Sequence, residues 1–443
     1  LGRRGGFSRP ASLAGAAAWL FAPYVALDLF VRAAFAEASA VAVAPLALLG
    51  VLRATDRPSL ARTAGGGLAV ALVPLAHNAA ALLLLPALAL VAAASARQAP
   101  RPLVSLSAGG AVLASGLGLS AFFWLPALVE KEFVRTDLLR EGFLRWVEHF
   151  VEPRQLLWSA WGYGTSGPGS ADGMSFAPGL LHLLLAAGGA ALVLRSDRGR
   201  RRAETAAFAA AALGGAWLAT AWSSGVWSSA ETLQYLAYPW RALLLPALFL
   251  PLLALPCLEI LGRRPRVLAT GALVLVNLAH TEPKGYLAFD DEYYAPASIA
   301  QRGINTTTRE EYTPRWVEVP PPYTADRVAG RGVAIEVAEQ RLLSARQEFT
   351  LRAPSATELE AATFYYPGWT VEVDGREIEP KPVPVRGTMA FAVGGGEQRV
   401  VLELRPTRLR RLSSGLSLGT AALLAASLAM GWAVGRRRAA ERP

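Results

Sequence analysis

Apolar runs recur along this chain with short polar breaks between them as far as residue 280. About 130 polar, alternating residues follow, and one further apolar run, 412–434, comes near the end. About 20 apolar residues span a bilayer core as a helix. The runs predict helices at roughly 10–22, 38–52, 64–76, 79–95, 103–128, 178–194, 206–222, 241–261, 267–280 and 412–434. The predicted class is a polytopic α-helical membrane protein of about ten transmembrane helices, with an extracytoplasmic antiparallel β-sandwich before the last one. The expected organisation is a multi-spanning membrane domain at 1–280, an outer β-rich domain at 281–411, a final helix at 412–435 and an arginine-rich cytoplasmic tail at 436–443.

The strand signals lie at 333–337, 348–351, 358–364, 370–373, 389–393 and 400–404, where residues alternate or are rich in β-formers. Asp374-Gly375 between two of these runs is a hairpin signal, and Gly394-Gly395-Gly396 is a second turn. The N-terminal part of this region, with Asn305–Thr308 and Pro320–Pro322, reads as irregular. Pro246, Pro251 and Pro256 in the run 241–261 predict a bent helix that either packs or walls a cavity.

Charge fixes the expected topology. The sequence holds 44 Lys+Arg against 34 Asp+Glu, and only Lys131, Lys284 and Lys381 are lysines. The arginines fall in clusters at 53–62, 97–101, 195–202, 263–266 and 436–442, between apolar runs. That is the positive-inside pattern, so the clusters are expected in the cytoplasm, and a nucleic-acid partner is excluded. An even number of crossings then separates neighbouring clusters. The stretch 63–96 must cross twice or dip and return, with His77-Asn78 at its polar midpoint. The expected outer segments are 23–37, 130–177, 223–240 and 281–411. At 53% hydrophobic residues and mean hydropathy +0.32, the chain is too apolar for an ordinary globular protein. Its partner is therefore a lipid bilayer, and the expected location is a cell membrane.

Four outer segments carry candidate chemistry. In the first, Asp28 and Arg32 are an i,i+4 pair if the segment is helical, with Glu37 following. The guanidinium suits a lipid phosphate and the acid suits a base or metal ligand; an interfacial ion pair capping a helix gives the same pattern. In the second, His77 and Asn78 could bind a phosphate or a proton, or simply cap a helix turn. In the third, Trp158, Trp161 and Tyr163 lie among Gly and Ser, with Asp172 nearby. They could stack on sugar rings or form an aromatic belt, and so long a Gly-rich loop is usually functional or mobile. In the fourth, Trp240 and Arg241 enter the proline-rich helix, where Arg241 either snorkels to headgroups or holds a phosphate.

The negatives also count. No Asp, Lys or Arg falls mid-span, and Glu259 lies near a cytoplasmic end, which counts against an ion-coupled transporter. The single cysteine, Cys257, excludes an internal disulfide and a Cys-based metal site. His149, His182 and His280 are scattered and fit no metal spacing. No Walker loop and no nucleophile elbow occurs.

Pro23-Tyr24, Asp28-Leu29-Phe30-Val31-Arg32 and Glu37 together resemble the P-Y-x-x-x-D-L-Y-V-R-G-x-x-x-E signature of a bacterial and archaeal integral membrane family labelled 6-pyruvoyl-tetrahydropterin-synthase-related. Ala33 stands where that family often has Gly. Leu75–Asn78, Phe122–Ala127, Trp161–Gly164, Asp172–Phe176, Tyr238–Arg241, Tyr312–Trp316 and Tyr365–Trp369 are further points of resemblance. The membrane domain of the family resembles the glycosyltransferase C superfamily. That resemblance implies transfer of a sugar from a polyprenyl-phosphate donor to an extracytoplasmic acceptor. It implies a catalytic carboxylate in the first outer loop, often one of an acidic pair and sometimes with a divalent cation. Carried onto this chain, Asp28 and Glu37 become the catalytic candidates. Arg32 and Arg241 would hold the lipid phosphate, and Trp158, Trp161 and Tyr163 would lie near the sugar. Along the sequence Asp28 has no second acid beside it, and the chain opens with Leu1 rather than Met. The expectation is therefore an N-terminally truncated chain whose usual acidic loop lies upstream. The rival expectation is a non-catalytic membrane scaffold whose outer β-domain binds envelope glycan or a partner protein.

Overall fold

The computed structural model describes residues 1–440 apart from 287, 296–297, 300–309, 323 and 325; of residues 434–440 only the backbone is described. The expectation at Asn305–Thr308 therefore lies outside the described residues, as do the side chains of the last arginine cluster. The chain divides into two units. A helical unit comprises 1–124, 139–286 and 414–443, and a sheet-bearing unit comprises 125–138 and 287–413.

In the order of the chain the helices are α1 (Arg9–Leu20), α2 (Pro23–Ala26), a π-turn at Leu27–Val31, α3 (Phe35–Asp56), α4 (Leu60–Ala76), α5 (Asn78–Arg97), α6 (Pro102–Leu119) and α7 (Ala121–Val129). They continue with α8 (Leu180–Ser196), α9 (Gly199–Leu218), α10 (Ser224–Ser229), α11 (Glu231–Gln234), α12 (Leu244–Ile260), α13 (Arg263–Leu278) and α14 (Arg408–Ala440). Every apolar run expected to be helical is helical. The expected helix 103–128 is two helices, because Ser120 turns its hydroxyl back onto the Gly116 carbonyl at 2.8 Å and the ladder breaks there. Among the described residues five helices are long and apolar enough to cross a membrane, namely α3, α5, α6, the segment Pro239–Ile260 and α14. The pair Arg9–Leu20 and Pro23–Val31, bent by 44°, makes a sixth if counted as one broken span, while α4 and α8 are shorter apolar helices.

Helix α12 is apolar all round and buried almost throughout, as such a helix must be. It packs on α1, α8 and α9. Gly215 of α9 permits one of these approaches, since a Cβ there would lie 2.6 Å from the Ala242 carbonyl oxygen. This contact seats the entry to α12, and with it Trp240 and Arg241.

The helix directions give the unit two distinct ends. Glu37 at the start of α3 meets Arg241 at one end. At the other end, Asp56 at the close of α3 meets Arg4 and Glu204 of α9. There too, Glu259 of α12 accepts from the Ser8 amide at 2.9 Å and Ser95 of α5 donates to Glu204 at 2.7 Å. The arginine clusters at 53–62, 97–101, 195–202 and 263–266 thus gather at the end opposite Glu37.

Among its described residues the second unit carries nine strands in two antiparallel sheets: β1 (Val328–Gly330), β2 (Glu336–Leu342), β3 (Arg346–Ala353), β4 (Thr357–Phe364), β5 (Trp369–Val373), β6 (Arg376–Ile378), β7 (Lys381–Pro382), β8 (Thr388–Val393) and β9 (Gly396–Leu404). The sheet orders are β1-β4-β8-β7 and β2-β3-β9-β5-β6. Phe349, Leu351, Val371 and Leu402 of one sheet and Leu359, Ala361, Met389 and Phe391 of the other share one buried core. Asp374 (φ +48°) and Gly375 (φ +79°) make the β5–β6 hairpin turn, with Val373 opposite Arg376. Two successive positive φ values are what a two-residue hairpin of this twist needs. The glycine run 394–396 joins β8 to β9, carrying the chain from one sheet to the other. The expected strand 333–337 starts later, at Glu336, which pairs with Arg352 one residue before β3 ends at Ala353.

Candidate functional site

The segment between α1 and α3 is tightly wound. Pro23 opens α2, with its fixed φ suited to a first helical position. The backbone then widens into the π-turn Leu27–Val31, a form that in proteins concentrates at functional sites. It leaves through Ala33 at φ +50°, with the Ala34 amide returned to the Asp28 carbonyl at 2.7 Å. This path turns Asp28, Arg32 and Glu37 toward one another.

Arg32 Nη1 donates to Asp28 Oδ1, and Arg32 Nη2 donates to Glu37 Oε2 at 2.9 Å. The Tyr24 hydroxyl donates to Glu37 Oε1 at 2.5 Å. Arg241, from the entry to α12, brings its Nε to 3.4 Å from Glu37 Oε2 and donates Nη1 to the Leu236 carbonyl at 2.8 Å. Asp28 and Glu37 are 0% and 1% exposed. Two carboxylates and two guanidiniums therefore form a buried set with no formal net charge. The expectation that Asp28 lacks an acidic partner is corrected here. Glu37 is that partner, hidden in the sequence because nine positions separate the two acids.

Aromatic rings close the site. The Arg32 guanidinium lies 4.4 Å from the centre of the buried Trp240 ring, and Arg241 lies 5.1 Å from that of Tyr238. Trp240 in turn packs on Tyr238 and Phe176. A shallow cleft beside Tyr24 is lined by Ser175, Phe176, Ala177, Pro178, Leu243 and Ala247. Snorkelling of Arg241 is thus not found, because Glu37 and the Leu236 carbonyl hold its head inside the protein. Among the described residues of the helical unit, the non-glycine residues with positive φ are Ala33 and Ala237, and both flank this cluster. Held strain of this kind gathers at working sites.

The remaining candidates divide. His77 caps α5, its Nδ1 accepting from the Ala80 amide at 3.1 Å, and lies within electrostatic reach of Glu37, Arg241 and Arg32. Asn78 is the first residue of α5. Trp161 stacks on His280 at 4.0 Å, and the turn Ala279–Thr281 lies against Pro23–Val31. The Tyr163 hydroxyl donates to the Glu282 carbonyl at 2.5 Å. Trp158 stands apart and is 75% exposed.

Asp172 holds its own loop. It accepts from Gln155 Nε2 at 2.7 Å and from the Gly167 amide at 2.9 Å. Burial raises its carboxyl above the usual range against the pull of those two donors. Gly164 and Gly173 clasp the loop's arms, with the Gly164 amide 2.7 Å from the Gly173 carbonyl. Within the same loop His149 Nε2 faces the Phe143 carbonyl, an acceptor only, so the proton of the neutral ring sits on Nε2. Its Nδ1 then accepts from Ser166 at 2.8 Å, and burial lowers the imidazole's pKa. The glycines of this loop let its two arms approach closely.

Asp28 Oδ2, Trp240 Nε1, Arg241 Nε, Trp161 Nε1 and His280 Nδ1 are buried polar atoms without a hydrogen-bond partner among the described residues. Buried polar atoms are nearly always satisfied. Such a concentration near one cluster marks a place where a polar ligand gains hydrogen bonds. His280 was not legible as part of it. Among the described residues no three His, Cys, Asp or Glu side chains converge as a metal site.

A second network escaped the sequence entirely. At the arginine-rich end, Arg4 donates to both oxygens of Asp56, at 2.6 and 2.7 Å, and to both of Glu204, at 2.7 Å each. Arg200 joins the same two acids. The available signal was that Asp56 lies inside the arginine cluster 53–62.

Compared with family models, curated proteins and solved structures, the chain matches none.

Proposed function

We propose that this chain is an integral membrane glycosyltransferase that takes a sugar from a polyprenyl-phosphate donor and passes it to an acceptor outside the cytoplasm. The observation that carries the reading is the convergence of Asp28, Arg32, Glu37 and Arg241 from two distant segments, with unsatisfied polar atoms around them. The apolar helices, with arginines gathered at the far end, support a bilayer-embedded chain whose candidate site faces outward.

The chemistry follows from the partners. Arg32 and Arg241 now serve Glu37. An arriving phosphate offers both guanidiniums a stronger, bidentate acceptor. Their transfer to the phosphate frees a carboxylate to act as base toward an acceptor hydroxyl or amide, or to hold a divalent cation. Trp161, half-buried, supplies an aromatic ring beside the sugar. In this reading the unit with two antiparallel sheets would be the outer β-sandwich.

The scaffold reading has one observation in its favour. Both carboxylates are buried and already ion-paired, as in a purely structural clasp. The deciding experiment places the purified chain in liposomes with radiolabelled polyprenyl-phosphate sugars and an envelope extract as acceptor. Donor-dependent label transfer that is lost in Asp28→Asn and Glu37→Gln is expected. No transfer, together with no donor-dependent rise in thermal stability, would leave the scaffold.

A further inference from the structure

Helix α3 ends at Asp56 and α4 begins at Leu60, at the arginine-rich end of the helical unit. Between them lies a cleft of about 460 Å³ lined by Arg53, Asp56, Arg57 and Arg62. Three guanidiniums thus face one carboxylate, and that carboxylate is already committed. Arg4 grips both oxygens of Asp56 and Arg200 pairs with it as well. Arg62 is fixed at the rim, donating Nη1 to the Arg57 carbonyl at 2.7 Å. Arg53 and Arg57 are exposed, and among the described residues no side-chain hydrogen bond or ion pair restrains them. Other arginines at this end are occupied: Arg201 pairs with Asp197, and Arg266 caps the carbonyls of Leu258, Glu259 and Leu261.

We propose that this cleft binds a phosphate-bearing anion, the headgroup of an anionic phospholipid at the membrane face opposite the Asp28–Glu37 site. Paired guanidiniums are the side chains best shaped for phosphate, and basic pockets between helices at this face take such headgroups. Leu60, 52% exposed at the start of α4, gives an acyl chain an apolar side chain two residues from Arg62. The inference rests on the membrane part of the functional reading and not on sugar transfer, so a chain inactive as a transferase leaves it standing.

The test uses the full chain in uncharged detergent and follows its melting temperature. Phosphatidylglycerol is expected to raise it and phosphatidylcholine to leave it unchanged. The triple variant Arg53→Gln/Arg57→Gln/Arg62→Gln is expected to lose at least half of that rise. The control triple Arg97→Gln/Arg101→Gln/Arg195→Gln, equal in charge and at the same end but outside the cleft, is expected to keep it. Equal losses in both triples would reduce the effect to general surface charge and overturn the site, as would the absence of any rise. Inorganic pyrophosphate separates the sources. If it alone reproduces the rise, and the cleft variant abolishes that rise, the phosphate site stands and its occupant is soluble. Should the triple variant fail to fold, the single variants Arg53→Gln and Arg57→Gln replace it, since neither side chain holds a partner.

Discussion

Tyr24 and Glu37 meet hydroxyl to carboxylate at 2.5 Å, both buried, thirteen positions apart in sequence. This contact ties the turn after α1 to the first turn of α3, and it orients the carboxylate that Arg32 and Arg241 share. Removing one member of a buried ion network leaves the others uncompensated, at a cost of about 3–5 kcal/mol. Glu37→Ala is therefore expected to lower thermal stability in detergent by about that much. Tyr24→Phe deletes one hydrogen bond to a charged group, worth about 1.5–3 kcal/mol. The melting order should be wild type, then Tyr24→Phe, then Glu37→Ala. A Glu37→Ala protein melting with the wild type would mean that the network does not hold the fold.

Ala33 sits at φ +50° and is exposed at the exit of the π-turn. A left-handed backbone costs an L-residue about 1–2 kcal/mol, and glycine escapes that at an entropic cost of about 0.5–1 kcal/mol. Ala33→Gly should stabilise the chain by about 0.5–1 kcal/mol, seen as a higher melting temperature. Ala33→Val should destabilise it. A lower melting temperature for the glycine variant would show that the turn is not strained here. The resemblance pointed to the same position, since glycine often stands there in the related signature.

Helix positions were legible because apolar runs must be buried in protein or lipid, whichever neighbours they find. The Asp374-Gly375 hairpin was legible because two positive φ values admit few residue types. The Asp28–Arg32 pair followed from helical spacing and survives in the π-turn. What the sequence hid was long-range pairing. The pairing of Glu37 with Arg241 spans 204 positions and that of Arg4 with Glu204 spans 200, and no local period encodes either. His280 stayed hidden for the same reason, since only folding brings it under Trp161.

Glu348 on β3 accepts from Arg346 Nε at 2.8 Å and from Arg399 Nη2 at 2.9 Å. These two guanidiniums, Arg346 foremost, hold its carboxyl at about 2 against an ordinary 4.5. A carboxyl depressed by folding contributes stability that is present above its unfolded value and lost as pH falls through the folded one. The loss should run from about pH 4.5 down to about pH 2. Hydrogen exchange at the β3 amides should accelerate over that window in the wild type. In Glu348→Gln the acceleration should be visibly smaller. An identical acid limb in both proteins would assign it to other groups.

Glu130 opens the expected outer segment 130–177, and it is bound to Thr407 and to Arg410 in the first turn of α14. Its Oε1 accepts from Thr407 Oγ1 at 2.8 Å, and its Oε2 accepts from Arg410 Nε and Nη2 at 2.9 and 2.7 Å. Arg410 also lies 5.2 Å from the centre of the Tyr366 ring. Glu130 is 7% exposed, so Glu130→Ala leaves a guanidinium facing apolar and aromatic neighbours. Arg410→Ala leaves a buried carboxylate with the hydroxyls of Thr407 and Tyr366 and without its guanidinium. Each single substitution should destabilise the sheet-bearing unit, and the double substitution should cost less than their sum. The coupling expected for such a pair is about 1–3 kcal/mol. Tryptophan fluorescence melting of the four proteins gives that number, with Trp316 and Trp369 reporting from this unit. Strict additivity would mean that Glu130 and Arg410 act independently, and that the segment 125–138 joins this unit through its other contacts, among them the Val134–Pro314 bridge and Phe133 against Trp316 and Tyr366.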